Sequence, residues 1–488
     1  MPRPAGSDEL ARLDAVASAA LVRSGAVSAT ELAEAAIERI EAVDGALNAV
    51  IFRRYEAARA EAAKVAADAP LAGVPTLIKD VDLAGDPFFN GARAYAALDW
   101  RLKETDRFAQ RMQAAGLIIL GRTNIPEFTS APVTESELHG PCRNPWDPAR
   151  SPGGSSGGAG AAVASLMVPV AQSSDGGGSS RIPASAVGAF TIKPSRGGMP
   201  LAGSGSAWLD ITSSKSFITR SVRDTALLYD LISGPDPLET VTAPAPERPF
   251  ALEVGAPPGA LRIGVARRGP EGLGPLDPAA LEAVDAAAAL LGELGHHVEE
   301  TAPETFLSGE SREIIRGYWP MKVAMRAVAA ERALGRPLAE GDLEPLTLAM
   351  LRYARKRSMA DVGAMLMQIR TFTTRSLAWW DAGHDLLLTP ATGSAAPLLG
   401  ALAGRDEASQ AASYRWGGLA PYANITGQPA ASVPLHWTVE GLPVGVQLIA
   451  HIWREDLLLR VSAQLEEARP WRQRVPPIRG GAGPRAIF

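Results

Sequence analysis

The sequence predicts an α/β protein built as one large domain, residues 1–488. Two observations carry this. Apolar runs of strand length, such as "GVPTLIK" (73–79) and "LRIGVAR" (261–267), alternate along the chain with longer segments of helical periodicity. No sequence repeat stands out, so the alternation belongs to one fold and not to an array.

Taken in order, residues 8–43 read as helical. Ser28 and Glu31 have the spacing of a capping box ahead of "LAEAAIERIEAV", and Asp44-Gly45 reads as its stop. "LAGVPTLIKDV" (71–81) reads as a turn followed by a buried strand carrying Lys79. "RFAQRMQAAGLIILGRTN" (107–124) reads as a helix, a glycine stop and a strand over Leu117–Leu120. A Pro/Gly/Ser-rich stretch (141–158) precedes "GGAGAAVASLMVPVAQ" (157–172), a small-residue helix and a further strand. A second Gly/Ser loop follows at 173–181, and residues 233–260 form a proline-rich crossing. "LRIGVAR", "DPAALEAVDAAAALLGELG" and "HHVEE" restore the β-α-β rhythm. Residues 310–382 read as mostly helical, and "HDLLLTPA" (384–391) returns to the sheet. "ASVPLHWTVEGLPVGVQLIA" (431–450) reads as a hairpin turning at Glu440-Gly441, and a last helix covers about 454–468.

Composition narrows the function. A composition of 46% hydrophobic and 21% charged residues is that of a soluble globular protein. A formal charge of −5 on 488 residues gives no support to nucleic-acid or membrane-surface binding, and neither partner is expected. The longest nearly apolar runs, such as "AAVASLMVPVA" (161–171), are too short to span a bilayer. Cys142 is the sole cysteine, so no intrachain disulfide forms. Together with a start, "MPRPAGSDEL", that lacks the apolar core of a secretory signal, this points to a reducing, cytoplasmic setting. The six histidines (139, 296, 297, 384, 436 and 451) show no HxxxH or HExxH spacing, and one cysteine cannot build a thiolate cluster. No metal is therefore expected. His296-His297 lies at a predicted helix end, where the dipole favours histidine. Neither GxxxxGK[ST] nor GxGxxG occurs, so no nucleotide cofactor is expected either.

Two serine loops remain. In the first, "SPGGSSGG" (151–158), Gly153-x-Ser155-x-Gly157 formally matches a nucleophile elbow, but "RNPWDPARSP" ahead of it cannot be the strand that motif requires. A flexible linker is the plainer reading of a Gly/Ser run. A linker, however, would not lead straight into an apolar small-residue helix. In the second loop, "SDGGGSSRIP" (174–183), Gly176, Gly177 and Gly178 can present successive N–H groups as an anion-binding nest, with Ser179 next in line. An oxyanion hole needs such backbone donors around the carbonyl that a serine attacks. A serine attacks only after a base takes its proton, and no histidine lies near either loop. A lysine serves as that base only when neutral, which burial in apolar surroundings favours. Lys79, ending "GVPTLIK", is the lysine best placed for it; its plainer reading is a strand-end lysine reaching water.

Together these segments resemble the amidase signature family. "GGSSGGAGAAVASLMVPVAQSSDGGGSSRIPA" (153–184) is similar to that family's signature, with Ser155 and Ser179 24 residues apart, followed by Asp-x-Gly-Gly-Ser-x-Arg-x-Pro at 175–183. "GVPTLIKD", "GRTNIPEF" (121–128), "RNPWDPARSPGG" (143–154) and "NITGQPAASVP" (424–434) are similar to further family blocks. The resemblance implies the amidase signature fold: a large, mixed, twisted β-sheet covered by helices on both faces. It places the signature core at about 65–235 and a variable, substrate-side helical region at about 300–382. It implies a Ser–cisSer–Lys triad in which Ser179 is the nucleophile, Ser155 the bridging serine in a cis peptide and Lys79 the base. The oxyanion hole is then formed by the N–H groups of Gly176, Gly177, Gly178 and Ser179. Ser156 and Ser180 read as supporting hydrogen-bonders, and Asp175 and Arg181 as anchors of the loop.

Within the family the chain most resembles the branch of aminohexanoate cyclic-dimer hydrolases, aryl-acylamidases and carbamate-cleaving amidases. "LGELGHHV" (291–298), "GRPL" (335–338) and "REDLLLRVSAQLEEARPW" (454–471) carry that likeness. Departures are Trp319, at the place of the branch's pocket cysteine, "TSSKSFITR" (212–220), which lacks the usual Asp and Gly-Pro, and Ser180, where an aliphatic residue is common. The resemblance thus implies an amidase acting on a rather hydrophobic carboxamide, anilide or carbamate through an acyl-enzyme; separately, no cofactor is expected, and a homodimer is the assembly to test. Phe88 and Trp319 are the chosen pocket residues, among the wider aromatic set Phe89, Tyr95, Trp100, Tyr318, Tyr414 and Trp416. The alternatives are a glutamine-dependent amidotransferase A-type subunit, and an α/β-hydrolase esterase pairing Ser155 with a late histidine such as His436.

Overall fold

The computed structural model describes residues 7–80, 83, 85–98, 101, 103–201, 210–402 and 407–481. Its strands, in chain order, are β1 (Val50–Arg53), β2 (Pro75–Lys79), β3 (Ile118–Thr123), β4 (Glu135–Ser136), β5 (Gly140–Pro141), β6 (Val170–Asp175), β7 (Thr191–Lys193), β8 (Ser214–Thr219), β9 (Arg262–Val265), β10 (His297–Glu299), β11 (Leu386–Pro390), β12 (Ala430–Trp437) and β13 (Pro443–Ala450). A five-stranded sheet runs β1-β3-β2-β6-β8 and a six-stranded sheet runs β10-β9-β11-β13-β12-β7; β4 and β5 pair on their own. In the first sheet β2 lies parallel to both β3 and β6, while β1 and β8 add antiparallel edges. In the second, β9 is parallel to β10 and β11, and the rest is antiparallel. A bridge between Phe190 and Thr219 joins β7 to β8 and carries the ladder from one sheet into the other. The expected mixed sheet is therefore present, built as two ladders meeting at one pair of residues.

Every residue of β2, β3, β8, β11 and β13 is buried. Side chains alternate between faces along a strand, so full burial means that both faces are covered. Helices Arg181–Val187, Pro278–Glu293 and Glu455–Ala468 pack on β12 and β13. The largest apolar cluster draws on Ala15 and Ala19 near one end of the chain, Phe108 and Phe217 beneath the first sheet, Val284, Leu388 and Val446 at the second, and Trp471 near the other end.

Three element boundaries differ from expectation for local reasons. The helical stretch at 8–43 is three helices, Ser7–Arg12, Ala15–Arg23 and Ala29–Leu47, because Asp14 caps the second through the Ala17 amide and Ser28 caps the third. The capping box forms as expected, with Glu31 N–H on Ser28 Oγ at 3.1 Å and Ser28 N–H on Glu31 Oε2 at 2.7 Å. Asp44-Gly45 does not stop that helix. Asp44 instead accepts the amides of Ala49 and Val50, and Asn48, at φ 52°, closes the last turn. The strand after "QAAG" runs on to Thr123 because Gly121 lets β1 approach: a Cβ there would lie 2.2 Å from Phe52 O.

The region at 310–382 is helical as expected, in three pieces: Glu310–Leu334, Pro345–Ala354 and Met359–Asp381. Among the described residues no helix is long and apolar enough to cross a membrane.

Candidate active site

β2 and β6 are parallel neighbours, with Leu77 opposite Ala171, so the C-terminal ends of both strands reach the same rim of the sheet. Lys79 ends β2. Its amide donates to Gln172 Oε1 at 2.9 Å, and its Nζ lies 2.8 Å from Ser155 Oγ and 2.9 Å from Ser174 Oγ. Lys79 is fully buried and does not reach water as a strand-end lysine would.

The loop carrying Ser155 is buried throughout 151–158, which removes the linker reading. Its glycines answer to close packing: a Cβ on Gly154 would fall 2.6 Å from Val133 O, and one on Gly158 2.4 Å from the Asn124 amide nitrogen. Thr134 holds the loop from both sides, donating from Oγ1 to Gly153 O at 2.9 Å and accepting the Gly157 amide at 3.1 Å. The Gly154–Ser155 peptide is cis. Ser156 N–H donates to Ser179 O at 3.1 Å, so the two serine loops are tied by a main-chain bond. Ser179 is 7% exposed, and its hydroxyl has no hydrogen-bond partner among the described residues.

The second loop is fixed from behind. Asp175, the last residue of β6, takes Arg181 Nη2 on Oδ1 and Arg181 Nε on Oδ2, both at 2.9 Å, and the Gly178 amide on Oδ1 at 2.7 Å. Arg181 also donates to Ala420 O, Asn424 Oδ1 and Gln447 Oε1, and Asn424 donates to Asp175 and to Thr212 O. Burial alone would raise the Asp175 carboxyl, but Arg181, aided by Lys193 and Asn424, holds it well below the usual carboxylate range. The expected anchoring by Asp175 and Arg181 is therefore present. Ser180 bonds Ser173 Oγ at 2.8 Å and Ser156 bonds Ser174, as supporting residues would.

One member of the expected nest departs. The Gly178 N–H already has a partner, donating to Asp175 Oδ1 at 2.7 Å. Three amides, those of Gly176, Gly177 and Ser179, have no partner among the described residues. Over them stands the helix Glu310–Leu334. A Cβ on Gly177 would come within 3.2 Å of Trp319 Cζ3, and one on Gly176 within 2.7 Å of Lys322 Nζ. Trp319 is partly buried and flanks the loop directly, and Lys322 Nζ sits 4.6 Å from its ring centroid.

The remaining aromatic candidates divide. Phe88 is partly buried and meets Tyr95 edge-on at 5.1 Å, beside Phe128 and Val323 of the same cluster. Phe89 meets His139 edge-on. Tyr95, Tyr318 and Trp416 are buried core residues with their polar atoms bonded to Arg326 O, the Ile211 amide and Ser394 O. Tyr414 lies under the Arg312 guanidinium. Trp100 lies outside the described residues. His436, needed by the esterase alternative, faces Glu282 at 3.6 Å, with Arg469 and Arg474 near it.

Sequence reasoning missed Ser174, Asp210, Lys322, Asn424 and Gln447. Gln447 was legible as the only polar residue in "PVGVQLIA", a strand buried at every position. The others carry no local signal. Among the described residues no group of three His, Cys, Asp or Glu side chains is arranged to hold a metal ion.

The amidase family model matches residues 31–459. The 6-aminohexanoate-cyclic-dimer hydrolase of Paenarthrobacter ureafaciens is 40% identical over 481 residues, covering 95% of this chain and 96% of that protein. The solved structure of a 6-aminohexanoate cyclic dimer hydrolase complexed with substrate superposes with a TM-score of 0.92 at 37% identity, over 96% of this chain and 99% of that one. A bacterial aryl acylamidase of the amidase signature enzymes superposes with a TM-score of 0.85 at 28% identity, over 94% and 97% of the two chains.

Proposed function

The chain belongs to the amidase family and is a hydrolase of amide C–N bonds, and from that premise we propose that it works through Ser179, Ser155 and Lys79 by way of an acyl-enzyme. The observation that carries this is the 2.8 Å contact of Lys79 Nζ with Ser155 Oγ, on a loop bonded through Ser156 to the main chain of Ser179. Neutral Lys79 accepts the Ser155 proton while Ser155 accepts that of Ser179. Ser179 Oγ then attacks the substrate carbonyl carbon. The amides of Gly176, Gly177 and Ser179 receive the oxyanion. As the C–N bond breaks, Ser155 returns a proton to the departing nitrogen and is itself reprotonated by Lys79. Water, deprotonated by the same relay, cleaves the ester and frees Ser179. Ser174, the second partner of Lys79 Nζ, orients the amine without entering the relay.

The substrate is a rather hydrophobic amide, anilide or carbamate. Trp319 beside the glycine loop offers an apolar wall, and Phe88 lies in the cluster that also holds Val323 of the same helix. The whole chain, 1–488, acts as one catalytic domain, in keeping with an apolar cluster that spans both sheets and both ends. A buried, lone Cys142 suits the cytoplasm.

A serine-directed phosphonate tests the reading. It should modify Ser179, as mapped by peptide mass spectrometry, and abolish amine release from anilide substrates. Modification at another serine with loss of activity would overturn the assignment.

A further inference from the structure

Lys322 is a buried lysine that the proposed relay does not use. It sits on the helix Glu310–Leu334, 1% exposed, with Nζ 3.0 Å from Asp210 Oδ1, 3.0 Å from Thr212 Oγ1 and 2.8 Å from Ser213 Oγ. An ammonium has three N–H donors, and here each has an oxygen. Lys322 therefore has no donor left for a substrate. What remains is its charge and its position, and both are directed at Trp319. Residues three apart share a helix face, so Lys322 lies beside the indole, with Nζ 4.6 Å from the ring centroid. The other side of this arrangement is the glycine loop: Gly176 leaves room for Nζ, and Gly177 for the ring.

We propose that Lys322 is the positioning residue that pins Trp319 against the Gly176–Gly177 backbone, and thereby sets the preference of the site for bulky apolar acyl or aryl groups. This rests on the reading of that loop as the oxyanion site. Asp210 fixes the ammonium, Ser213 donates to Asp210 Oδ2 at 2.7 Å, and Asn424 links Thr212 O to Asp175. The wall and the anchor of the loop thus belong to one polar network. A hydrophobic residue at 322 would fill the space without the desolvation cost of a buried ion pair. It would also leave the indole free to swing away from the loop, because apolar packing is non-directional.

The test is ¹⁹F NMR on protein labelled with 5-fluorotryptophan, combined with a selectivity ratio. The Trp319 resonance is the one lost in Trp319→Phe. Lys322→Gln, which keeps polar contacts but no charge, and the paired change Lys322→Met with Asp210→Asn, which leaves no lone buried carboxylate, should each shift or broaden that resonance and leave the other lines in place. Both should lower the ratio of kcat/KM for an anilide over that for acetamide about tenfold. If the Trp319 line is unchanged in whichever variant folds, or moves without a change in selectivity, the proposal is overturned. The resonance does not depend on turnover, so an unchanged line refutes the role of Lys322 while leaving the triad untouched. Failure of the triad reading shows instead as activity retained in Ser179→Ala.

Discussion

Lys79 Nζ lies 2.8 Å from Ser155 Oγ, and Lys79 has no exposure to solvent. The pair joins the end of a central parallel strand to a loop held by Thr134 and by the main chain of Ser179. As the proposed base, Lys79 can act on Ser155 only in its neutral form, and the neutral fraction of an amine grows with pH. Activity on amides should accordingly rise with pH as Lys79 loses its proton, and Lys79→Ala should remove it. The check is the pH profile of kcat/KM for both proteins. A variant with the rate and profile of the wild type would show that another group is the base.

Ser179→Ala should lower turnover on the order of a thousandfold or more, because members of such a relay act as a unit. Its hydroxyl has no partner among the described residues, so its removal should leave the thermal midpoint nearly unchanged. Steady-state kinetics and thermal unfolding of the same preparation decide; a tenth of normal activity in the variant is incompatible with a nucleophilic Ser179.

Trp319→Ala should raise KM for aryl or long-alkyl amides much more than for acetamide. Apolar surface contributes roughly 25 cal/mol per Å² buried, and a small amide has little surface to bury. A panel of anilides, alkyl amides and carbamates, followed by amine release, measures this. Equal losses across the panel would assign Trp319 to packing alone.

Glu127 makes a prediction about stability. It is buried, accepts the Glu344 amide at 2.7 Å and so ties the segment after β3 to the start of the helix Pro345–Ala354. Burial raises its carboxyl to about 8, against the opposing pull of the Thr347 side chain and the Glu344 amide. The folded state then keeps a proton that the unfolded state has released, from the ordinary carboxylate range up to about 8. Stability from this group is present at low pH and lost as pH rises through that window, with a slope of up to about 1.4 kcal/mol per pH unit. Denaturant unfolding from pH 5 to 8 should show the slope in the wild type and a flatter curve in Glu127→Gln. Parallel curves would mean that Glu127 is ionised in the fold.

The segments that carry the proposed relay are legible in short stretches of the chain. The capping box at Ser28 and Glu31, the strand ending in Lys79, the hairpin at Gly441 and both serine loops are read from consecutive residues, because propensity, capping and turn geometry act over a few positions. The likeness to the amidase signature is of the same kind, since it resides in short blocks at set spacing. The remaining features depend on packing between distant segments. The Gly178 amide bonds Asp175, a residue held in turn by Arg181 and, from 249 residues away, by Asn424. Tyr95, Tyr318 and Trp416 are core residues and Trp319 stands at the loop, although all four are aromatics in the same broad region and composition cannot separate them. Lys322 meets Thr212 across 110 residues and Lys79 meets Ser155 across 76. Contacts at that separation are set by how the two sheets and the helix Glu310–Leu334 pack, and packing is a property of the whole core, with no local pattern in the chain to announce it.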